Sequence, residues 1–110
     1  MTESSIIEYS KGDKFWRLNG QLHREDDLPA VECADGYKAW YLNDKLHREG
    51  GLPAMEFADG TKFWWLNDKL HREDGPAIEY ADGGKYWYLN DEQVTQDEVE
   101  WNAIEELFVL

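Results

Sequence analysis

A chain of 110 residues is long enough for one domain with a modest core, and six Trp, six Tyr and four Phe make that core aromatic. Eleven Lys and Arg against 24 Asp and Glu give a formal charge of −13, which opposes binding to nucleic acid phosphates or anionic lipid. One cysteine, Cys33, excludes an internal disulfide framework, and no stretch approaches the roughly 20 apolar residues of a membrane span.

The first five residues, Met1-Thr2-Glu3-Ser4-Ser5, have neither the basic start nor the apolar run of a signal peptide, so a soluble, cytoplasmic protein is expected. Ile7-Glu8-Tyr9 then opens the array as a degenerate copy of a run that recurs as Ala30-Val31-Glu32-Cys33, Ala54-Met55-Glu56-Phe57 and Ala77-Ile78-Glu79-Tyr80. A second run appears four times: Lys14-Phe15-Trp16-Arg17-Leu18-Asn19, Lys38-Ala39-Trp40-Tyr41-Leu42-Asn43, Lys62-Phe63-Trp64-Trp65-Leu66-Asn67 and Lys85-Tyr86-Trp87-Tyr88-Leu89-Asn90. Equivalent tryptophans are 24, 24 and 23 residues apart, the signature of a stack in which each unit buries its apolar face against its neighbours.

Both runs alternate as strands do. Within the second, Lys38, Trp40 and Leu42 are expected on one face, with Ala39 and Tyr41 on the other. Asp35-Gly36, Asp59-Gly60, Asp82-Gly83 and Asn19-Gly20 are hairpin signals, because glycine supplies the positive φ such turns need. Asn43-Asp44, Asn67-Asp68 and Asn90-Asp91 are weaker forms of the Asn19-Gly20 turn, and Pro29, Pro53 and Pro76 bend the returning strands. The expected fold is mainly β: a single domain over residues 1–110, with an antiparallel meander of about four hairpin repeats of 23–24 residues over 6–91, two strands per repeat.

The last 19 residues leave the pattern and carry six of the acids with no base. Thr95 as N-cap, Glu98 three positions on and the Val94/Val99 staple mark a helix start. Val99, Ala103, Ile104, Leu107 and Phe108 fall on one helical stripe, so residues 92–110 are expected to form an acidic amphipathic helix that caps the final repeat.

The unit Trp-x-Leu-Asn-Gly/Asp-x-Leu-His-Arg-Glu-Asp-Gly-Pro-Ala resembles the MORN repeat and its short variants over roughly residues 6 to 91, departing from it where Arg-Glu-Asp or Arg-Glu-Gly follows the histidine, as at Arg72-Glu73-Asp74-Gly75. Units of this type look like those of small phage and bacterial proteins. The resemblance implies an elongated β-hairpin array used for protein contacts and, in some members, lipid contacts; it implies no catalytic residue.

His23, His47 and His71 are the obvious metal candidates, yet a shared zinc needs donors about 2.0 to 2.1 Å from one ion, whereas positions two strands apart are on the order of 9 to 10 Å from each other. They read as structural. The Arg24/Glu25, Arg48/Glu49 and Arg72/Glu73 pairs read as charge ladders between units, and Glu32, Glu56 and Glu79 have equivalent surroundings, where hydrolysis needs differently tuned acids. With no phosphate loop, catalytic triad order or paired-cysteine motif, no catalytic residue, metal or cofactor is expected.

Trp16, Trp40, Trp64 and Trp87 with their following leucines form the expected packed ladder. The letter between them varies, reading Arg17, Tyr41, Trp65 and Tyr88, the residue types that anchor interfaces. That row is the expected partner-binding face, with a second half-buried face or a homodimer contact as its rival. Glu98, Glu105 and Glu106 on the helix are the acidic binding candidates. The expected function is a non-enzymatic acidic module binding a protein with a basic surface, of the kind a phage-type inhibitor uses to block a host defence nuclease (anti-CRISPR or anti-restriction) in the host cytoplasm. The alternative is a scaffold or homo-oligomeric assembly module using the aromatic face. Neither direct nucleic acid contact nor membrane contact is expected.

Overall fold

The computed structural model describes residues 5–101. The chain is a β array whose strands run β1 (Ser5–Ser10), β2 (Asp13–Leu18), β3 (Gln21–Leu22), β4 (Val31–Glu32), β5 (Lys38–Ala39), β6 (Tyr41–Leu42), β7 (Lys45–Leu46), β8 (Met55–Glu56), β9 (Lys62–Phe63), β10 (Trp65–Leu66), β11 (Lys69–Leu70), β12 (Ile78–Glu79), β13 (Lys85–Leu89) and β14 (Glu92–Val94). The long antiparallel sheet has the order β1-β2-β4-β5-β8-β9-β12-β13-β14, with β3 paired to β2, while β6-β7 and β10-β11 form separate hairpins. The mainly β, antiparallel meander is the architecture that the alternation and the turn signals anticipate.

Each inner repeat contributes four short strands, where two longer ones were expected. The chain breaks at Trp40 and Trp64, between β5 and β6 and between β9 and β10. The tryptophan amide donates to the alanine carbonyl of the next repeat, Trp40 to Ala54 (2.7 Å) and Trp64 to Ala77 (2.8 Å), and its carbonyl accepts from the histidine amide of its own repeat. One residue therefore serves the long sheet on one side and the small hairpin on the other. The expected parity fails at this bend: Ala39 and Trp40 are consecutive and both buried, as tryptophan turns inward under the small hairpin. Ala30, Ala54 and Ala77 are fully buried at the entry to each returning strand, where no larger side chain would let the backbones approach.

The turns carry the expected conformations. Gly36, Gly60 and Gly83 have φ of 106°, 97° and 98° in three-residue loops closed by Cys33–Tyr37, Phe57–Thr61 and Tyr80–Gly84 backbone bonds. Each Asn-Asp pair is left-handed at both residues, as in a type I′ turn. Aspartate replaces glycine here for a reason that turn statistics miss. The Asp44, Asp68 and Asp91 carboxylates accept from the Leu22, Leu46 and Leu70 amides of the preceding repeat (2.8, 2.8 and 2.9 Å), and their own amides donate to the same leucine carbonyls. At the equivalent position of the first hairpin stands Gly20.

Two expectations about the ends are corrected. Ile7-Glu8-Tyr9 is not in the register of the later copies: β1 pairs Glu8 with Phe15 and Tyr9 with Lys14, whereas Glu32 pairs with Lys38. The two-residue Lys11-Gly12 turn replaces a three-residue loop, and a slip of one residue swaps the faces of the strand. At the other end residues 92–94 are strand β14, paired with β13, and the helix α1 covers 96–101 within the described residues. Its start is the expected one, with reciprocal bonds from the Glu98 amide to Thr95 Oγ1 (3.2 Å) and from the Thr95 amide to Glu98 Oε1 (3.3 Å). Val99 is buried; Ala103, Ile104, Glu105, Glu106, Leu107 and Phe108 lie outside the described residues.

Candidate functional site

Register sorts the long sheet into two unlike faces. On one, Lys14, Glu32, Lys38, Glu56, Lys62, Glu79 and Lys85 stand side by side in alternating charge. On the other, Phe15, Val31, Ala39, Met55, Phe63, Ile78 and Tyr86 form the matching row.

On the charged face the repeated His-Arg-Glu letters tie the small hairpins to the glutamates of the long sheet, while Lys14, Lys38, Lys62 and Lys85 stay exposed. Arg24, Arg48 and Arg72 lie over Trp16, Trp40 and Trp64, with Cζ 3.7, 3.8 and 3.9 Å from the ring centroids. Through Nη1 each also donates to a proline carbonyl and to the strand glutamate eight or seven residues on: Arg24 to Glu32 (3.1 Å), Arg48 to Glu56 (3.4 Å), Arg72 to Glu79 (3.0 Å). Of the Arg-Glu letters expected as charge ladders between units, the arginine turns to the strand glutamate, while the glutamate that follows it meets the histidine, as in His23–Glu25 and His47–Glu49.

Histidine Nδ1 accepts from the backbone amide of the next repeat, from Asn43 (3.0 Å), Asn67 (3.0 Å) and Asn90 (2.9 Å). In the neutral ring the proton therefore sits on Nε2, facing the glutamate. In His23 and His47 both nitrogens are occupied, and each of the three imidazoles joins two repeats through Nδ1. Among the described residues no group of three His, Cys, Asp or Glu is placed to hold a metal ion.

The loops between these elements show how a lost residue is compensated. Asp26 and Asp27 have φ of 65° and 57°, and their counterparts Gly50 and Gly51 share that backbone. Asp27 holds Arg48 of the next repeat, accepting from Nε (2.8 Å) and Nη2 (3.2 Å), while its carbonyl accepts from Trp40 Nε1 (3.0 Å). Gly51 repeats the carbonyl contact to Trp64 Nε1 (2.9 Å) but has no carboxylate to offer Arg72. The third loop is one residue shorter and supplies its own, with Arg72 Nε donating to Asp74 (3.0 Å). Clefts of about 310 and 280 Å³ lie between successive stacks, the first lined by Trp40, Tyr41 and Leu52 and the second by Leu52, Trp64 and Trp65. Neither has a serine, threonine or cysteine in its lining. In the fourth repeat Val94 and Thr95 replace histidine and arginine, and Val99 of α1 lines the cleft beside Trp87 instead.

On the opposite face Val31, Ala39 and Ile78 are buried, and aromatic rings at its edge reach solvent. Five rings run across the strands: Tyr37 to Phe57 at 5.0 Å between centroids, Phe57 to Phe63 at 5.6 Å, Phe63 to Tyr80 at 5.9 Å and Tyr80 to Tyr86 at 5.8 Å, the last two edge-to-face. Phe57, Tyr80 and Tyr86 remain 37%, 42% and 43% exposed. Burial pushes the Tyr37 phenol up to about 12, with the Tyr41 phenol and the Cys33 thiol adding to it. Cys33 at the same end is itself raised, by burial and then by Asp13 and Asp35.

Of the residues expected to bind a partner, Arg17, Tyr41, Trp65 and Tyr88 lie in β2, β6, β10 and β13, and Glu98 lies in α1. Arg17 bonds Glu8 and the Gly20 carbonyl, and Tyr41, Trp65 and Tyr88 are half-buried, the first two within the small hairpins themselves. Among the described residues Trp65 Nε1 is enclosed without a hydrogen-bond partner. Tyr41 is raised by burial, then by Asp68 and Asp44. Glu98 is used in the helix cap. The row Tyr37, Phe57, Phe63, Tyr80 and Tyr86 was missed, although Phe57 and Tyr80 occupy one repeat position and Phe63 and Tyr86 another. Comparison with family models, with curated proteins and with solved structures found no match. Among the described residues no helix is long and apolar enough to cross a membrane.

Proposed function

We propose that the chain is a non-enzymatic protein-binding module that docks its aromatic face on a partner carrying basic groups around an apolar patch. The carrying observation is the unbroken row of five rings, three of them more than a third exposed, on a chain of charge −13. Rigid aromatic rows give large contact area at low cost in side-chain entropy, and surplus acid steers encounter with a basic partner. A MORN-like array used for protein contacts agrees with this reading. So does the occupation of both nitrogens of His23 and His47, which leaves no free imidazole base in those loops.

In its finer form the module is a phage-type inhibitor in the host cytoplasm that covers the basic nucleic-acid-binding surface of a defence nuclease, anti-CRISPR or anti-restriction. The charge alone favours that form. The alternative is assembly through the same aromatic face, with a second copy as partner. Affinity capture from host lysate, with nuclease added to remove bridging nucleic acid, tests the first reading. Phe57→Ala and Tyr80→Ala are expected to abolish the captured complex, and raised salt is expected to weaken it. Capture that survives both alanine variants overturns the aromatic surface; a monomer–dimer equilibrium lost in the same variants favours self-assembly.

A further inference from the structure

Among the described residues, two adjacent donors of the first repeat lack the partners that the later repeats supply. Arg24 uses only Nη1, toward the Pro29 carbonyl and Glu32. Among the described residues its Nε and Nη2 make no hydrogen bond, and neither does Trp16 Nε1, whose ring lies 3.7 Å beneath that guanidinium. One repeat later a single residue fills both needs: the Asp27 carboxylate takes Nε and Nη2 of Arg48, and the Asp27 carbonyl takes Trp40 Nε1. In the repeat after that the carboxylate comes from Asp74 and the carbonyl from Gly51. A carboxylate on this guanidinium edge is thus reached by two different loop solutions. The Arg24 side chain is also the most exposed of the three, at 23% against 13% and 19% for Arg48 and Arg72.

We propose that the Arg24 edge and Trp16 Nε1 together form a binding site for an acidic residue within a peptide, its carboxylate on Nε and Nη2 of Arg24 and its main-chain carbonyl on Trp16 Nε1. The planar fork matches a carboxylate through two parallel bonds, and the indole selects a residue whose backbone carbonyl is in reach. The site is independent of the aromatic face, and it gives a strongly acidic chain one position that accepts acid. Two sources have the required chemistry. One is a partner's acidic side chain; the other is Glu3 of this chain, 24 residues before Asp27 in the sequence.

The test is NMR titration of the full chain with N-acetyl-aspartate N-methylamide at constant ionic strength, read at the Trp indole N–H and Arg Nε–H signals. In the wild type, saturable shifts at Trp16 and Arg24, with Trp40, Trp64, Arg48 and Arg72 unmoved, support a site open to a partner. If the wild type is inert but Glu3→Gln gains those shifts, the site is supported and Glu3 is its source. In whichever background binds, Arg24→Lys is expected to weaken the response at least about tenfold, because an ammonium cannot offer the fork. No site-specific shift in either background overturns the proposal, as do equal shifts at all three arginines or an undiminished response in Arg24→Lys. The wild-type and Glu3→Gln titrations need no variant of the Arg–Trp stack, so misfolding cannot imitate failure.

Discussion

Asp27 of the first repeat holds Arg48 of the second by both carboxylate oxygens, at 2.8 and 3.2 Å, while the guanidinium lies 3.8 Å above Trp40. The contact crosses from one unit to the next, and Arg48 also takes the Pro53 carbonyl and Glu56 within its own unit. One side chain thereby couples two loops, a ring and a strand. In a linear array such nearest-neighbour contacts carry much of the stability.

Arg48→Ala is therefore expected to destabilise the fold by about 2–4 kcal/mol, since it removes a cation–π contact and strands the Glu56 carboxylate and Pro53 carbonyl in a half-buried position. Arg48→Lys keeps the charge over the ring but loses the fork, and is expected to cost less, about 1–2 kcal/mol. Urea unfolding measures both. Equal losses for Lys and Ala would mean that geometry, and not charge over Trp40, sets the value.

His47 makes a different coupling, through Nδ1 to the Asn67 amide of the next repeat. His47→Ala leaves that amide without an acceptor, at a cost of about 1–3 kcal/mol. Asparagine can place its side-chain oxygen where Nδ1 stood, so His47→Asn is expected to recover about half of the loss. The denaturation midpoints of the two variants, at unchanged slope, check this ordering. No recovery in asparagine would assign the role to ring packing instead.

These contacts also mark where the sequence stops being legible. The period, the turns at Gly36, Gly60 and Gly83, and the Thr95/Glu98 cap were all readable, because each depends on a local conformation that few residues can adopt. Face assignment failed at Trp40 and Trp64, because a one-residue bend between two hydrogen-bonding partners resets parity without any glycine or proline to announce it. The same bend separates the candidate rows: Tyr41 and Trp65, marked by variation between Trp and Leu, go into the small hairpins, while Phe57 and Tyr80 stay with the long sheet. Arginine's partner could not be read from adjacency either, since Glu25 and Glu32 both follow Arg24 and only the fold brings Glu32 to it.

The Asp44 side chain offers a further test of turn against clasp. Asp44→Gly suits the left-handed turn at φ 67° but removes the acceptor of the Leu22 amide, 2.8 Å away. Loss of the bond outweighs the relief of backbone strain, so the expected net change is a loss of about 0.5–1 kcal/mol. Amide exchange at Leu22 is expected to quicken in Asp44→Gly while exchange at Leu46, held by Asp68, stays as it was. Stabilisation by Asp44→Gly would show the clasp to be idle.

Tyr37 gives the pH dependence its sign. Its phenol is pushed up to about 12 in the folded chain, against roughly 10 in an unfolded one. Below the unfolded value both states keep the proton, and the full contribution of Tyr37 to stability is present. As pH rises past 10 the unfolded state loses its proton first, so stability falls up to about pH 12 and levels beyond it. Tyr37→Phe is expected to flatten that part of the alkaline stability curve, and ultraviolet difference titration of the wild type should show one phenol ionising late. A titration in which the late phenol persists in Tyr37→Phe would move the effect to Tyr41, whose phenol is raised by burial and by Asp68 and Asp44.

Cys33 closes the aromatic face at the Tyr37 end, and its thiol is raised by burial and by the carboxylates of Asp13 and Asp35. Thiolate is the reacting form, so alkylation by iodoacetamide at pH 8 is expected to run several-fold slower in the folded chain than in urea. Asp13→Asn removes a charge that opposes the thiolate and a carboxylate that accepts from the Ala34 amide (2.8 Å), so labelling is expected to quicken there. If Asp13→Asn leaves the rate unchanged, burial and Asp35 protect the thiol, and Asp35→Asn tells the two apart.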